Sequence, residues 1–347
     1  MLNGLPRILI IRLSAIGDVV RVIPALHCIR EVFPNAQIDW VVETKSAEVL
    51  KGLPVLDQVI QFDRSSDLMS SIVDFFHTAK EIRSRKYDYV FDFHGIFKSG
   101  LFTRFSGAPK RIGFERPRSQ ELSFLATNEK VKLGPEIVNR MHENLALCDP
   151  FYSGPKSLDI ALAVTEDDFF IMEEFFEDQF HGAKTIVAIH VPVERAEKQW
   201  PVEYFSEVID MLLSDGRFDV VLTWGPGQRA IVEEVSGLCK RDPVISPQLT
   251  SLKQYMALIQ CSDMYLGGDT GPMHIASALD VAVVGIFGGT NPAQHSPLRE
   301  PLEILSGFPE GDTRQKLSVA DAAARMNKIT PEMVFDACVR MVTRSRS

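Results

Sequence analysis

The sequence predicts an α/β protein of two units, each a parallel sheet layered with helices. Three observations predict it. Apolar runs of strand length alternate with helical patterns along the chain, the signature of parallel α/β domains. Polar or glycine-rich loops follow the carboxyl ends of strand runs, at Glu194 to Trp200, Gly225-Pro-Gly-Gln228, Gly268 to Gly271 and Gly288 to His295, and open α/β sheets bind ligands along that edge. A length of 347 residues, 45% hydrophobic and 24% charged, is about two domains' worth of globular chain.

The first unit, residues 1–160, opens on a strand from Arg7 to Leu13 whose centre, Ile8-Leu-Ile-Ile11, is a continuous apolar run, as in a strand buried on both faces. Val19 to Phe33 reads as a helix in which Pro24 marks a kink or a late start. Strands at Ile38 to Val42 and Gln58 to Phe62 follow, then a long helix from Ser70 to Arg85 and a strand from Tyr87 to Phe93. His94-Gly95 leads into a helix carrying Lys98 and Arg104. Gly134 to Ser157, with its prolines and glycines, reads as irregular chain with a short helix, leading to a hinge.

The second unit, residues 161–330, starts at Thr165-Glu-Asp-Asp168, which has capping-box spacing with Asp in the usual Glu position, ahead of a helix from Phe169 to Phe180. Strands at Thr185 to His190, Asp219 to Thr223 and Pro243 to Ile245 alternate with helices at Val202 to Leu213, Arg229 to Lys240 and Leu252 to Ile259. Met264 to Leu266 and Val281 to Phe287 are further strands. Thr330-Pro331-Glu332 starts a final helix over 331–347, expected to cross back to the first unit.

Composition narrows the function classes. No run reaches the 18 or more apolar residues of a membrane span, and Met1 to Arg7 leads into a strand without a signal-peptide pattern, so a cytoplasmic protein is expected. The five cysteines are widely spaced and never in a Cys-x-x-Cys arrangement, which suggests core thiols rather than disulfides or a zinc site. A net charge of -9 argues against wholesale nucleic-acid binding. That charge is uneven: Lys98 to Arg118 holds six basic residues and one acid, whereas 161–180 holds seven acids and no Lys or Arg. The basic stretch is either a solvated face or a surface turned toward an anionic ligand or membrane.

Two strand ends carry the chemistry. In the run from Met264 to Leu279, a strand ends in Gly267-Gly-Asp-Thr-Gly271 and Pro272 sits in the first turn of a helix, where its missing N–H costs nothing. Unpaired N–H groups and the positive end of a helix dipole suit phosphate there; alternatively the glycines only form the turn, and Asp269 or Thr270 only caps the helix. In the first unit, Leu13-Ser-Ala-Ile-Gly-Asp18 turns at Gly17 and delivers Asp18 to the carboxyl edge, as an N-cap or as a catalytic base.

Five segments together resemble the lipopolysaccharide heptosyltransferases, the ADP-heptose-using transferases of glycosyltransferase family 9. They are Ile8-Leu-Ile-Ile-Arg-Leu-Ser-Ala-Ile-Gly-Asp-Val-Val20 with Pro24-Ala-Leu26, Asp39-Trp-Val-Val-Glu43, Tyr87 to Ser99, Lys198-Gln-Trp-Pro201 and Gly268-Asp-Thr-Gly-Pro-Met-His274. The matches keep their order from residue 7 to about residue 298. The second and fourth segments look closer to heptosyltransferase I than to II.

The resemblance implies the GT-B architecture, two Rossmann-like domains facing a central cleft, with the acceptor on the first and the nucleotide sugar on the second. It implies an inverting transfer of heptose from ADP-heptose to the Kdo inner core of lipopolysaccharide, with Asp18 as general base and no metal ion or cofactor. Lys198, Gln228, Gly268, Asp269, Thr270, Gly271 and His274 fall on the donor side. Lys198 and the N–H groups at Thr270 and Gly271 would meet the charge of the leaving ADP, Asp269 would grip heptose hydroxyls, and His274 is either near the diphosphate or a core histidine. Ser14, Gly17, Lys98, Arg104, Lys110 and Arg111 fall on the acceptor side. Because that acceptor, Kdo on lipid A, is anchored in the membrane, peripheral association with the inner face of the inner membrane is expected. Trp200 and Trp224 either contact the base or wedge their loops against the core.

Two departures bear on the donor. Where relatives carry Thr-Thr or Thr-Ser after the strand at Ile186 to His190, this chain has Val191-Pro-Val193; the glutamate expected after the Trp-Gly loop falls near Gln228 or Arg229. Other readings are therefore a same-fold transferase or epimerase using another nucleotide sugar, or a non-catalytic sugar-nucleotide-binding protein.

Overall fold

The structure is a computed structural model that describes residues 5–63, 68–309, 311–312 and 317–345. Met1 to Gly4, part of the amino-terminal segment considered above, lie outside the described residues. The chain divides into two compact units, Met1–Ala163 and Val164–Ser347.

In the first unit six strands, β1 (Arg7–Ile11), β2 (Gln37–Glu43), β3 (Gln58–Phe62), β4 (Tyr89–Asp92), β5 (Lys110–Phe114) and β6 (Glu129–Val131), form one parallel sheet in the order β3-β2-β1-β4-β5-β6. Ile8, Leu9, Ile10 and Ile11 are fully buried, as the unbroken apolar run requires of a central strand covered on both faces. The order reverses between β1 and β4, and the crevice beyond their carboxyl ends is where this topology holds ligands. The helix expected over Val19 to Phe33 is two helices, Ile16–Val20 and Ile23–Val32, with Pro24 in the first turn of the second, where no N–H is needed. β5 and β6 escaped the sequence reading: one opens on two basic residues and contains Gly113, and the other has three residues.

The second unit repeats the topology with β7 (Thr185–His190), β8 (Phe218–Thr223), β9 (Val244–Ile245), β10 (Met264–Gly268), β11 (Ala282–Phe287) and β12 (Leu302–Ser306) in the order β12-β11-β10-β7-β8-β9, all parallel. Every residue of β10 and β11 is buried. Here the switch point lies between β7 and β10. β12 is mostly half-buried, so its sequence lacks the apolar run that marks the others. Thr165 caps the helix Glu166–Gln179 by accepting from the Asp168 N–H at 3.1 Å.

The last helix, Pro331–Ser345, starts at the proline of Thr330-Pro331-Glu332 as expected. It seats Val334, Ala337, Cys338 and Met341 in the core that contains Trp200, Phe205 and Ile209, and packs on the helix Val202–Asp215 and on β11 and β12. Its apolar stripe is thus buried in the core of the second unit. All five cysteines are free thiols, with Cys28, Cys148 and Cys338 buried.

Candidate active site

The first centre lies beyond β1. Asp18 stands in the first turn of the helix Ile16–Val20, whose N-cap position belongs to Ala15, so Asp18 is not the cap. Its carboxylate is held at both oxygens, Oδ2 by Arg12 Nη2 and Oδ1 by Arg21 Nη2. Both guanidinium groups are buried, whereas the Asp18 side chain is 33% exposed. Arg12 Nη1 also donates to the Phe93 oxygen at the end of β4 (3.2 Å), tying the carboxylate to the switch point. Burial pushes Arg12 down to about 10 despite the attraction of Asp18.

Two further groups close this centre. Arg118 donates through Nε to Glu143 Oε2 (2.7 Å) and through Nη1 to the His94 oxygen (3.1 Å), and lies 4.6 Å over the Phe114 ring. His94 accepts from the Leu13 N–H through Nδ1 (3.3 Å). Burial, joined by the charges of Arg12, Arg118 and Lys98 and opposed by Asp18, pushes His94 down to about 3, so its ring is neutral near pH 7. The sequence reading missed Arg12, Arg21, His94 and Arg118 as site residues. A signal was present in Arg12 and Arg21, two basic residues bracketing the loop that carries Asp18.

The residues expected on the acceptor side divide. Ser14 and Gly17 share the Asp18 loop. Lys98, in the first turn of the helix Phe97–Ser106, reaches Glu43 Oε1 (3.3 Å) and stands 4.8 Å over the Phe62 ring, at the carboxyl ends of β2 and β3. Arg104 is in the last turn of that helix, and Lys110 and Arg111 open β5. Crossover helices run back against parallel strands, so these three belong to the opposite edge of the sheet from Asp18. Lys110 stands 5.2 Å over the Tyr89 ring, and Arg111 is spent on the carbonyls of Ala126 (2.8 Å) and Ala108 (2.6 Å). The four basic residues expected to form one acceptor surface with Asp18 are therefore not together: only Lys98 is on its edge.

The second centre lies beyond β10. Asp269, 5% exposed, is a hub: Lys198 Nζ donates to its Oδ2 (2.7 Å) and to its backbone oxygen (2.9 Å), Thr290 Oγ1 donates to Oδ2 (2.7 Å), and His274 Nε2 lies 3.7 Å from Oδ1. Burial opposes its charge, but the polar approach of His274 and the charges of Lys198, His274 and His295 outweigh that and hold the carboxyl well below the usual range. Lys198 ends the tight turn Ala196–Lys198, and Gly289 lets the Thr290 loop approach it: a Cβ there would stand 2.2 Å from the Glu197 oxygen. Thr290 was legible only as part of a glycine-rich loop.

Thr270 occupies the N-cap of the helix Gly271–Ala278 without a capping bond from its side chain, and Pro272 lies in the first turn as expected. The helix start thus keeps backbone N–H groups and its positive dipole end for a ligand. Gly268 closes β10 directly before Asp269. Gln228 turns its Oε1 back to the Gly225 N–H (3.0 Å), closing its own loop. Trp200 and Trp224 are buried and donate to the carbonyls of Ile329 (2.9 Å) and Ser246 (3.1 Å), which makes them wedges of the loops. Val191 and Pro192 are buried and offer no hydroxyl. Among the described residues, no group of three or more His, Cys, Asp or Glu side chains could hold a metal ion, and no helix is long and apolar enough to cross a membrane.

Two Rossmann-order units with their charged side chains gathered beyond the central strands are the build of GT-B glycosyltransferases. Solved structures with that fold match nearly the whole chain: the structure of Escherichia coli ADP-heptose LPS heptosyltransferase II superposes with a TM-score of 0.79 at 20% identity, covering 98% of this chain and 100% of that one. The chain matches glycosyltransferase family 9 (heptosyltransferase) over residues 75–323. It belongs to that family and is a glycosyltransferase. Among curated relatives, the lipopolysaccharide core heptosyltransferase OpsX of Haemophilus influenzae is 24% identical, covering 88% of this chain and 86% of its own. Lipopolysaccharide heptosyltransferase 1 of Pseudomonas aeruginosa is 27% identical, covering 87% and 84%.

Proposed function

We propose that this enzyme builds the lipopolysaccharide core by moving heptose from ADP-heptose to a Kdo sugar on lipid A, with inversion at the anomeric carbon. The observation that carries the reading is the partly exposed Asp18 carboxylate, fixed at both oxygens by Arg12 and Arg21 at the switch point of the first sheet. In this mechanism Asp18 takes the proton of an acceptor hydroxyl as its oxygen attacks the anomeric carbon, and the bond from that carbon to the ADP oxygen breaks. Lys198 and the free N–H groups at the start of the helix Gly271–Ala278 stabilise the charge left on ADP; a fixed donor of this kind is worth about 3 kcal/mol. Asp269, whose carboxylate is spent on Lys198 and Thr290, acts by holding those groups as well as by any bond to the sugar. The excess of guanidinium groups around Asp18 suits the carboxylates and phosphates of a Kdo-lipid A acceptor. Such an acceptor requires work at the inner face of the inner membrane, from the cytoplasmic side.

The test measures ADP release from ADP-heptose with and without Kdo-lipid A, in the presence of EDTA, for the native enzyme and Asp18→Asn. Acceptor-dependent release that survives EDTA and falls by about 10²–10⁴ in the variant is expected. Release unchanged in Asp18→Asn would remove the base from that position. Two observations favour a second reading of the donor: the buried Val191-Pro192 segment and the engaged Gln228 oxygen replace groups expected on the nucleotide side. ADP binding without turnover of ADP-heptose would point to a different nucleotide sugar.

A further inference from the structure

His94 stands beside Asp18 without a role in the proton transfer. Its loop, between β4 and the helix Phe97–Ser106, is fixed by Asp92: the buried carboxylate accepts from the N–H groups of His94 and Gly95 and from the Ser99 hydroxyl, each at 3.0 Å. Gly95 follows at a φ of 69°, a left-handed conformation that turns the chain directly after the ring. The ring itself is fixed by Leu13, whose N–H donates to Nδ1 (3.3 Å). A donor at Nδ1 sets the tautomer, so the neutral ring carries its proton at Nε2 and has no lone pair left to act as a base. Burial keeps the ring neutral, helped by Arg12 in the loop after β1, Arg118 in the loop after β5 and Lys98 on the following helix, and opposed by Asp18.

Among the described residues Nε2 has no hydrogen-bond partner, and His94 is only half-buried. The cations around it are committed. Arg118 donates through Nε to Glu143, through Nη1 to the His94 oxygen and through Nη2 to the Phe93 oxygen (3.3 Å), while Arg12 uses Nη1 on Phe93 and Nη2 on Asp18. The His94 N–H is thus a fixed, uncharged donor left over in a positive field: four guanidinium groups, Arg12, Arg21, Arg118 and Arg140, share two carboxylates, Asp18 and Glu143. A donor draws electron density from the oxygen it meets, so on the attacking hydroxyl it would oppose attack. On a non-reacting oxygen it orients the acceptor, and the surplus of positive charge favours an anionic one. We propose that His94 Nε2 donates to the carboxylate of the acceptor sugar and so selects a sugar acid for attack at Asp18. The proposal rests on the reading of Kdo as the acceptor.

The experiment has two arms. Nitrogen NMR of the histidine rings follows the native chain as free Kdo or its methyl ester is added, with no nucleotide sugar present, so binding is scored apart from heptosyl transfer. The His94 ring is expected to carry its proton at Nε2 and to shift with the acid but not with the ester. Kinetics then compare the native chain, His94→Phe and His94→Gln on Kdo-lipid A and on the same acceptor with its Kdo carboxyl esterified. In His94→Phe the KM for the acid should rise about 10–100-fold, as for one hydrogen bond to a charged group, with a much smaller change in kcat and none in the KM of the ester. His94→Gln, whose amide can accept from the Leu13 N–H and still donate, should keep most of the affinity. A proton at Nδ1, an equal shift with acid and ester, or a loss in His94→Phe shared equally by acid and ester would overturn the proposal. A native chain that leaves ADP-heptose unused yet shifts at His94 with the acid alone would sink the transfer reading and uphold this one.

Discussion

The ammonium of Lys198 donates to both the backbone oxygen (2.9 Å) and the carboxylate (2.7 Å) of Asp269, so one side chain locks the turn after β7 to the loop before the helix Gly271–Ala278. The carboxylate is almost wholly buried, and the lysine that neutralises it is also the cation proposed to meet the leaving group. Structure and chemistry are therefore coupled at this pair.

Lys198→Met should lose in both respects. A buried carboxylate deprived of its counter-charge destabilises the fold by about 3 kcal/mol, and loss of a donor to the leaving group lowers kcat by about 10²–10³. Urea unfolding and steady-state kinetics on the same preparation separate the two. A variant with native stability would mean that Thr290 and His274 suffice to hold Asp269.

The same hub predicts an acid dependence. The Asp269 carboxyl is held below its unfolded value, so its charge contributes stability that is complete above the unfolded value of about 4 and is lost as pH falls toward the lower folded value. The difference in urea midpoint between the native chain and Asp269→Asn should be constant from neutrality to pH ~5 and shrink below ~4. A gap independent of pH down to ~3 would assign the effect to shape rather than charge.

His94 and His190 should stay neutral far below the usual histidine range. Burial, chiefly, pushes each down to about 3; His190 ends β7 beside β8, with Nδ1 2.9 Å from Thr223 Oγ1. The unfolded chain binds protons at these rings below about 6.5 while the native chain does not, so they cost stability progressively as pH falls from ~6.5 toward 3. Proton NMR of the two rings should show no titration between pH ~8 and ~5. A midpoint near 6.5 at either ring would contradict its burial.

Gly289→Ala tests how the Thr290 loop is placed. The added Cβ would meet the Glu197 oxygen at 2.2 Å, and backbone cannot yield as a flexible side chain would. The loop must shift, at a cost of about 1–3 kcal/mol, taking Thr290 from Asp269. Calorimetry of ADP binding should show weakened affinity, while kinetics in the Asp18 region, read as acceptor KM, should be unchanged.

The sequence by itself determined the strand-rich alternation, the two units and the edge where the chemistry gathers. Those features are written in local patterns: continuous apolar runs at β1, β10 and β11, Pro24 and Pro272 at helix starts, and Gly-Gly-Asp-Thr-Gly after a strand. It also delivered Asp18 and Asp269 to strand ends, because each lies in a loop whose position follows from the strand before it, while Lys198 stood out only through the resemblance to family 9. Only the tertiary structure decided which side chains meet. Arg12, Arg21, His94 and Arg118 reach the Asp18 region from three separate segments, and Lys110 and Arg111, part of the same basic run as Lys98, lie across the sheet from it. The final helix buries its stripe in the second unit. A charge run records how many cations a segment carries, but a parallel sheet with crossover helices sends alternate ends of that segment to opposite edges. Pairing across long sequence separations is therefore a property of the topology.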